Sequence, residues 1–149
     1  MEFKMEFGRT THKSIKEFEE KINFKLPTDY ESFLLVYNGG IPLKNRFLIN
    51  RLQGFDSIDL FFGLSLDKDF LNLNYQLDYY EDRFPPGIIP IGEDPGGNYI
   101  CLDANQRENY GRIYFYDHEV ENEDAQGNPT RNNLFLVAIN FGEFLKSLQ

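Results

Sequence analysis

The sequence predicts an α+β domain with an antiparallel or mixed β-sheet of about five or six strands, and with helices at the N-terminus, in the middle and at the C-terminus packed beside it. Three observations predict this class. Apolar residues recur at helical spacing near both ends, three apolar runs separated by turn signals lie between residues 88 and 119, and 149 residues suit one domain. We therefore expect a single domain over residues 1–149, with its core in residues 14–149.

Two helices are predicted near the N-terminus. Residues 14–17, Ser-Ile-Lys-Glu, have the sequence of a capping box, in which both side chains bond free N–H groups at a helix start. A second capping box is predicted at residues 28–31, Thr-Asp-Tyr-Glu. Pro27 separates the two helices, because proline disfavours helical backbone in the residue before it.

The second of these helices has the clearest apolar face. Tyr30, Phe33, Leu34 and Tyr37 follow the spacing of one helical face and are expected to contact the core. Residues 38–40, Asn-Gly-Gly, are predicted to end the helix, because glycine adopts left-handed backbone without a Cβ penalty.

The middle of the chain changes its pattern. Residues 47–49 and 58–62 are candidate strands, with breaks expected at Gly54 and Gly63. A third helix is predicted over residues 67–80, with Phe70 among its apolar positions.

The region from residue 88 to 119 predicts an antiparallel β-meander, because its apolar runs are joined by two turn signals. A polar, acidic loop follows over residues 119–133. That loop is long for a compact domain, so we expect it to be functional or mobile. Residues 134–139 form a short apolar run, and Asn140 is predicted to cap a last helix.

Composition limits the classes of function. A formal net charge of −9 argues against direct binding of nucleic acids or anionic membranes, which usually requires a basic surface. The acidity can provide solubility, reflect a solvated surface without a partner, or steer association with a basic protein. Cys101 is the only cysteine, which suits a reducing compartment. Because a signal peptide and a long apolar run are both missing from the sequence, we expect a cytoplasmic protein.

Residues 94–98, Asp-Pro-Gly-Gly-Asn, allow two interpretations. Glycines can let a backbone approach a phosphate, but a phosphate loop leads into a helix N-terminus. This segment leads into a predicted strand, and Asp, Asn and Gly are typical of hairpin turns. We therefore interpret it as a turn.

The candidate catalytic and metal-binding side chains do not match the pattern of a known type of catalytic or metal site. Asp117 and Glu119 share one face of a strand while His118 lies on the other, and His12 is in the N-terminal arm. A zinc site would then consist mostly of carboxylates, which is unusual. Cys101 is expected to be a buried, inert thiol, and a Cys101–His118 nucleophile pair is the alternative. We predict no catalytic residues, no metal and no cofactor.

Two acidic clusters are the candidate partner-binding residues. Carboxylates there can pair with Lys and Arg of a basic protein, and tyrosines supply rigid contact area. The alternative is ordinary solvated surface. The candidate residues are Asp78, Tyr79, Tyr80, Glu81 and Asp82 in the first cluster, and Asp117, Glu119, Glu121, Glu123 and Asp124 in the second.

Several motifs occur in a characteristic order. They are Leu-Pro-x-x-Tyr-x-x-Phe-Leu at residues 26–34 with Asn-Gly-Gly after it, Ile-Gly-x-Asp-x-Gly-Gly-Asn-x-Ile-Cys-Leu-Asp at 91–103, Gly-x-Ile-Tyr-Phe-x-Asp-His-Glu at 111–119, and Phe-x-x-Phe-Leu at 141–145. In this order they resemble the SUKH superfamily of Smi/Knr-type domains. Glu19 lies where these proteins often carry a glutamate ahead of the Leu-Pro pair.

The resemblance implies an α+β fold and a class of function. Bacterial members of the superfamily resemble immunity proteins, which bind and neutralise toxins without a catalytic residue set. The implied partner is a cognate toxin, with a basic nuclease as one candidate, and the protein is expected to be a monomer or weak homodimer. The alternatives are a regulatory interaction module for an endogenous partner, like the fungal relatives, and a carboxylate-based hydrolase.

Overall fold

The structure is a computed structural model that describes residues 1–80 and 82–149. Within those residues the helices are α1 (His12–Ile22), α2 (Thr28–Val36), α3 (Leu73–Tyr79) and α4 (Phe141–Ser147). The strands are β1 (Phe3–Met5), β2 (Ile41–Pro42), β3 (Arg46–Asn50), β4 (Gly54–Ser57), β5 (Leu60–Phe61), β6 (Ile88–Glu93), β7 (Tyr99–Asp103), β8 (Ile113–Tyr116) and β9 (Leu134–Ala138).

The main sheet has the order β5-β6-β7-β8-β9, and each neighbouring pair is antiparallel. The pairs β1–β2 and β3–β4 form two small additional sheets in the described part of the chain. The predicted α+β class and the predicted meander are therefore confirmed. Helices lie near the N-terminus, in the middle and at the C-terminus of the chain, as the sequence predicted.

The two faces of the main sheet carry different layers. Phe115 opposes Ile100, and the next pair, Tyr116 and Tyr99, lies on the opposite face. On the first face Phe115 meets Phe47 of the β3–β4 hairpin, at 6.2 Å between ring centroids. On the second face Tyr116 meets Phe84, at 4.9 Å. The sheet is therefore covered on both sides, which explains its almost continuously buried central strands.

Aromatic rings hold the helices to this sheet. Phe33 of α2 makes edge contacts with Phe61 of β5, at 5.3 Å, and with Phe141 of α4, at 4.9 Å. Tyr30 also packs edge-on against Phe141, at 5.0 Å. Edge-to-face pairs of this kind add about 0.5–1.5 kcal/mol each beyond the area that they bury. The predicted apolar face of the second helix is thus confirmed.

The predicted N-terminal capping boxes are wrong in detail. α1 begins earlier, because the Thr11 hydroxyl accepts a hydrogen bond from Ser14 N at 3.1 Å and leaves Ser14 inside the helix. α2 begins after Pro27, with Thr28 as its first helical residue. Asp29 in its first turn instead accepts from Gly142 N at 3.0 Å, which joins α2 to α4.

The end of α2 also differs from the prediction. The first left-handed residue after the helix is Asn38, with φ 53°, and Gly39 follows with φ 84°. Asn38 is fully buried, and its amide accepts from Leu64 N and donates to Leu64 O, both at 2.8 Å. Gly39 follows because a Cβ at that position would lie 2.6 Å from Phe61 O. The Asn-Gly-Gly sequence therefore ends the helix and also lets the backbone pack closely against β5.

Two predictions in the middle of the chain are corrected. Residues 67–80 form a 3₁₀ turn (Asp69–Leu71) and then α3, because the Asn72 amide bonds the backbone of Leu66 and Lys68 and interrupts the helix. Phe70 is exposed rather than buried. Gly54 begins strand β4 instead of breaking the structure, and only Leu60–Phe61 of the predicted strand 58–62 pairs in the sheet.

We expect Asn38→Ala to lower the free energy of unfolding by about 2–4 kcal/mol, because it leaves the Leu64 backbone groups unpaired and puts alanine, which tolerates left-handed backbone less well than asparagine, at φ 53°. Asn38→Gly removes the same hydrogen bonds without that backbone penalty, so it should be less destabilising. Urea denaturation of both variants measures the difference. Equal stability of Asn38→Ala and the wild type would show that the junction is not needed.

Candidate functional site

The segment at residues 94–98 is a hairpin turn between β6 and β7. Asp94 is almost fully buried, and its Oδ1 accepts from Gly96 N at 2.8 Å and from Asn98 N at 2.7 Å. Its Oδ2 accepts from Asn98 Nδ2 at 2.8 Å. The carboxylate thus organises the turn itself, and the interpretation as a turn is confirmed.

The acidic loop contains a second turn of the same construction. Asp124 Oδ1 accepts from Gln126 N and Asn128 N, both at 2.9 Å, and Asp124 N donates to Asn128 O at 2.9 Å. The hydrogen bond from the Asn128 backbone, with that from Gln126, lowers the pKa of Asp124. The shared pattern Asp-x-x-Gly-Asn, at residues 94–98 and 124–128, was the sequence signal for this role.

His118 is bound to the first turn and not to a nucleophile. Its backbone N donates to Asn98 Oδ1 at 3.0 Å, and its Nδ1 lies 2.6 Å from the same oxygen. Cys101 is fully buried opposite Tyr114, and burial raises the pKa of the Cys101 thiol well above its usual value. A buried, protonated thiol matches the predicted inert cysteine, and the structure does not pair Cys101 with His118.

The metal-ligand candidates are dispersed. In the described residues, no three or more His, Cys, Asp or Glu side chains are grouped closely enough to hold a metal ion. Asp117 Oδ1 accepts from Glu119 N at 3.0 Å and so stabilises the strand end.

The acidic loop is closed by its own hydrogen bonds. Asp117 N donates to Asn133 O at 3.0 Å, and Asn133 Nδ2 donates back to Asp117 O at 3.0 Å. Glu123 and Pro129 form an antiparallel bridge inside the loop. The loop therefore has a defined shape that holds Glu119, Glu121 and Glu123 exposed.

The structure brings the two predicted acidic clusters together. Asn122 Nδ2, from the loop, donates to Arg83 O at 2.9 Å, and Arg83 directly follows Asp82. The Arg83 guanidinium lies 4.6 Å from the centroid of the Tyr80 ring. Glu81, which was also predicted to bind a partner, lies outside the described residues.

The members of the first cluster play different roles. Tyr79 is 66% exposed and stacks on Tyr75 at 5.6 Å, so both rings are accessible to a partner. Tyr80 is half-buried and packs edge-on against Tyr99 at 5.7 Å. Asp78 forms an ion pair with Lys21 at 2.8 Å, and Asp82 is exposed.

Three further carboxylates, which sequence reasoning missed, lie beside these clusters. Partial burial, with the negative charges of Asp94 and Asp117, raises the pKa of Asp56 on β4. Partial burial, with the charges of Asp59 and Asp94, raises the pKa of Glu93. Asp56, Asp59 and Glu93 are isolated acids in the sequence, so only the strand pairing reveals their proximity.

The acidic surface, as we use the term, combines these groups. It contains carboxylates from strand ends and loops that approach one another despite their like charge. The carboxylates whose charges interact are Asp56, Asp59, Glu93, Asp94 and Asp117. The acidic loop that follows Asp117 adds the exposed side chains of Glu119, Glu121 and Glu123.

We expect Asp56→Asn to raise stability at pH 7 by about 0.2–1 kcal/mol, the size of an exposed charge interaction. Because the pKa of Asp56 is raised in the folded state, the wild type loses stability as pH rises from the unfolded pKa through the folded pKa. The Asp56→Asn variant has no ionisable group at this position and does not lose this stability. Its free energy of unfolding should therefore exceed that of the wild type by less when the pH is lowered toward 4, near the ordinary pKa of Asp.

Urea denaturation at the two pH values measures this difference, and Asp67→Asn, an exposed carboxyl outside the acidic surface, is the matched control. A stability gain for Asp56→Asn that is independent of pH would contradict charge repulsion as its cause.

The fold and the surface define a class of protein: a small α+β domain whose exposed polar groups suit contacts with another protein. Comparison with known families agrees. The model of the SMI1 / KNR4 family (SUKH-1) matches residues 9–147, and the chain belongs to this family. Membership suggests an immunity-protein-like function.

The chain is similar to the SPbeta prophage-derived uncharacterized protein YokK of Bacillus subtilis (strain 168), with 34% identity over 169 aligned positions. The alignment covers 99% of this chain and 81% of the relative. In the described residues, no helix has the length and apolar character needed to cross a bilayer.

Glu19 supports the assignment structurally. Its Oε2 accepts from Leu26 N at 2.8 Å, across the turn between α1 and α2. The side chain therefore fixes the start of the Leu-Pro segment that the family resemblance includes.

Proposed function

We propose that this protein is an immunity protein that binds a cognate toxin and neutralises it by protein–protein contact, without catalysis. Family membership supports the class of function. The observation that carries the choice of binding site is the acidic surface, where burial and mutual repulsion raise the pKa of Asp56 and Glu93. Gathering like charges opposes folding, and such local conflicts are expected at functional sites.

A basic partner would relieve this repulsion. Lys and Arg residues that a nuclease uses to hold phosphates would pair with the exposed carboxylates of the loop, so that the inhibitor occupies the place of the nucleic acid. A surface of one charge sign also speeds diffusional encounter. Fast capture suits a protein that must act before the toxin does.

We choose among the predicted contact residues by how free each side chain is to meet a partner. Asp124 accepts hydrogen bonds within its own turn, and the half-buried Tyr80 packs against Tyr99. Asp78 forms an ion pair with Lys21. Glu119, Glu121 and Glu123 are exposed on a loop of defined shape, and Tyr79 is an exposed aromatic residue on α3. We therefore assign the main contacts to these four residues.

We expect Glu119→Lys/Glu121→Lys/Glu123→Lys to slow association with the toxin by about tenfold or more and to flatten its dependence on salt, because steering acts through these charges. Stopped-flow association at several ionic strengths is the measurement. The matched control, Glu2→Lys/Glu6→Lys/Glu20→Lys, makes the same change in net charge at exposed positions near the N-terminus. Equal slowing in both variants would assign the effect to net charge, and no slowing in either would remove the loop from the interface.

The function itself is tested by co-expression with the product of the neighbouring gene. Under the proposal, that product arrests growth alone and this protein restores growth through a stoichiometric complex. Capture of a constitutive partner in cells without any toxin, together with no rescue, would favour the regulatory module instead.

A further inference from the structure

The segment from residue 32 to residue 55 differs in charge from the rest of the molecule. Residues 32–55 contain no Asp or Glu, although the chain has 24 acidic residues and a net charge of −9. Lys44, Arg46 and Arg51 lie in this stretch, on or beside the hairpin. We call residues 44–55 the basic hairpin.

The outer face of the basic hairpin is apolar. Phe47 and Ile49 face inward and are buried, and the alternating position Leu48 faces outward opposite Phe55. Leu48 and Phe55 are 45% and 46% exposed, and Leu52 at the tip is 99% exposed. The inner face therefore anchors the hairpin while its outer face stays uncovered.

A cation is held within this apolar face. The Arg46 guanidinium lies 4.3 Å from the centroid of the Phe55 ring, a cation–π arrangement. Single exposed apolar residues are ordinary, but several together on one element with polar neighbours indicate an interaction site. Arginine and aromatic residues are also the types enriched in protein interfaces.

The complementary surface is present on the same chain. Arg46 and Phe55 of the basic hairpin line a surface hollow of about 380 Å³ together with Asp56 of the acidic surface. A positive, apolar surface thus adjoins a negative one. Adjoining surfaces of opposite charge are self-complementary. When a two-fold axis passes between them, the positive surface of each copy contacts the negative surface of the other copy.

We propose that two copies of this chain associate through an isologous contact in which the basic hairpin of each copy lies on the acidic surface of the other. The dimer buries Leu48, Leu52 and Phe55 and relieves the repulsion among the carboxylates. Because the same acidic surface is assigned to the toxin, dimerisation and toxin binding exclude each other. The dimer is then a storage form that dissociates when the toxin is present.

The first test is sedimentation velocity of the full chain over a wide range of protein concentration, at low and high salt. The expected result is a monomer–dimer equilibrium that weakens with salt, since the contact is ionic in part. A protein that stays monomeric at every concentration overturns the proposal, and it leaves the toxin hypothesis intact because a monomer can still bind a toxin.

The decisive test exchanges the charges. Arg46→Glu/Arg51→Glu reverses the basic hairpin, and Asp59→Lys/Glu119→Lys reverses part of the acidic surface. Each variant alone should dimerise at least about tenfold more weakly, because like charges then meet. An equimolar mixture should recover a heterodimer, since each reversed surface meets its opposite. Failure of the mixture to associate overturns the assignment of the two surfaces.

Variants at exposed positions control for folding. Leu52→Ser alters only the tip and should weaken the dimer, whereas Val36→Ser, at an exposed apolar position on α2, should not. An unchanged dimer in Leu52→Ser removes the hairpin from the contact. Vesicles of phosphatidylglycerol test a different occupant: if a monomeric wild type binds them and Leu52→Ser does not, the hairpin docks on an anionic lipid surface and the dimer is rejected.

Discussion

The fold depends on the close junction between the end of α2 and strand β5. Asn38 bonds Leu64 through both ends of its amide, and Gly40 exchanges two backbone hydrogen bonds with Phe61, at 3.0 and 2.8 Å. A side chain at Gly39 would collide with the β5 backbone. This contact sets the distance at which Phe33 meets the sheet, and through Phe33 it sets the position of α4. A buried polar group with every partner satisfied specifies one arrangement, because any other arrangement leaves it unpaired.

The acidic surface, which we propose as the partner-binding site, lies at the end of the sheet where β6 turns into β7. There the β6–β7 turn, the end of β8 and the β3–β4 hairpin meet, and each contributes carboxylates. Turns of the pattern Asp-x-x-Gly-Asn, held by their own hydrogen bonds, shape the β6–β7 turn and the acidic loop that follows β8. Burial raises the pKa of Asp56 and Glu93, and the negative charges of neighbouring carboxylates raise it further. Rigid loops on a packed scaffold suit binding, because little conformational entropy is lost when the partner arrives.

Charge segregation connects the proposed partner site with the proposed dimer. The net charge of −9 describes a molecule that repels its own copies at long range, yet residues 44–55 carry Lys44, Arg46 and Arg51 and no acidic residue. The attraction between oppositely charged surfaces of two copies can overcome this repulsion only at short distance and at modest salt concentration. A weak dimer is therefore the physical expectation, and weakness is what competition with a toxin requires.

The sequence by itself determined the fold class, the meander, the buried face of α2, the Asn140 cap of α4 and the turn at residues 94–98, since each depends on local periodicity or turn chemistry. The family resemblance could be read from the same local motifs. Helix starts were placed wrongly, because Thr11 and Ser14 are both good caps and only the packing of α1 selects between them. The tertiary structure alone decided which carboxylates share a surface. Residues such as Asp56 and Asp94 are far apart in the chain, and their proximity is set by strand pairing and core packing, which depend on all parts of the chain at once.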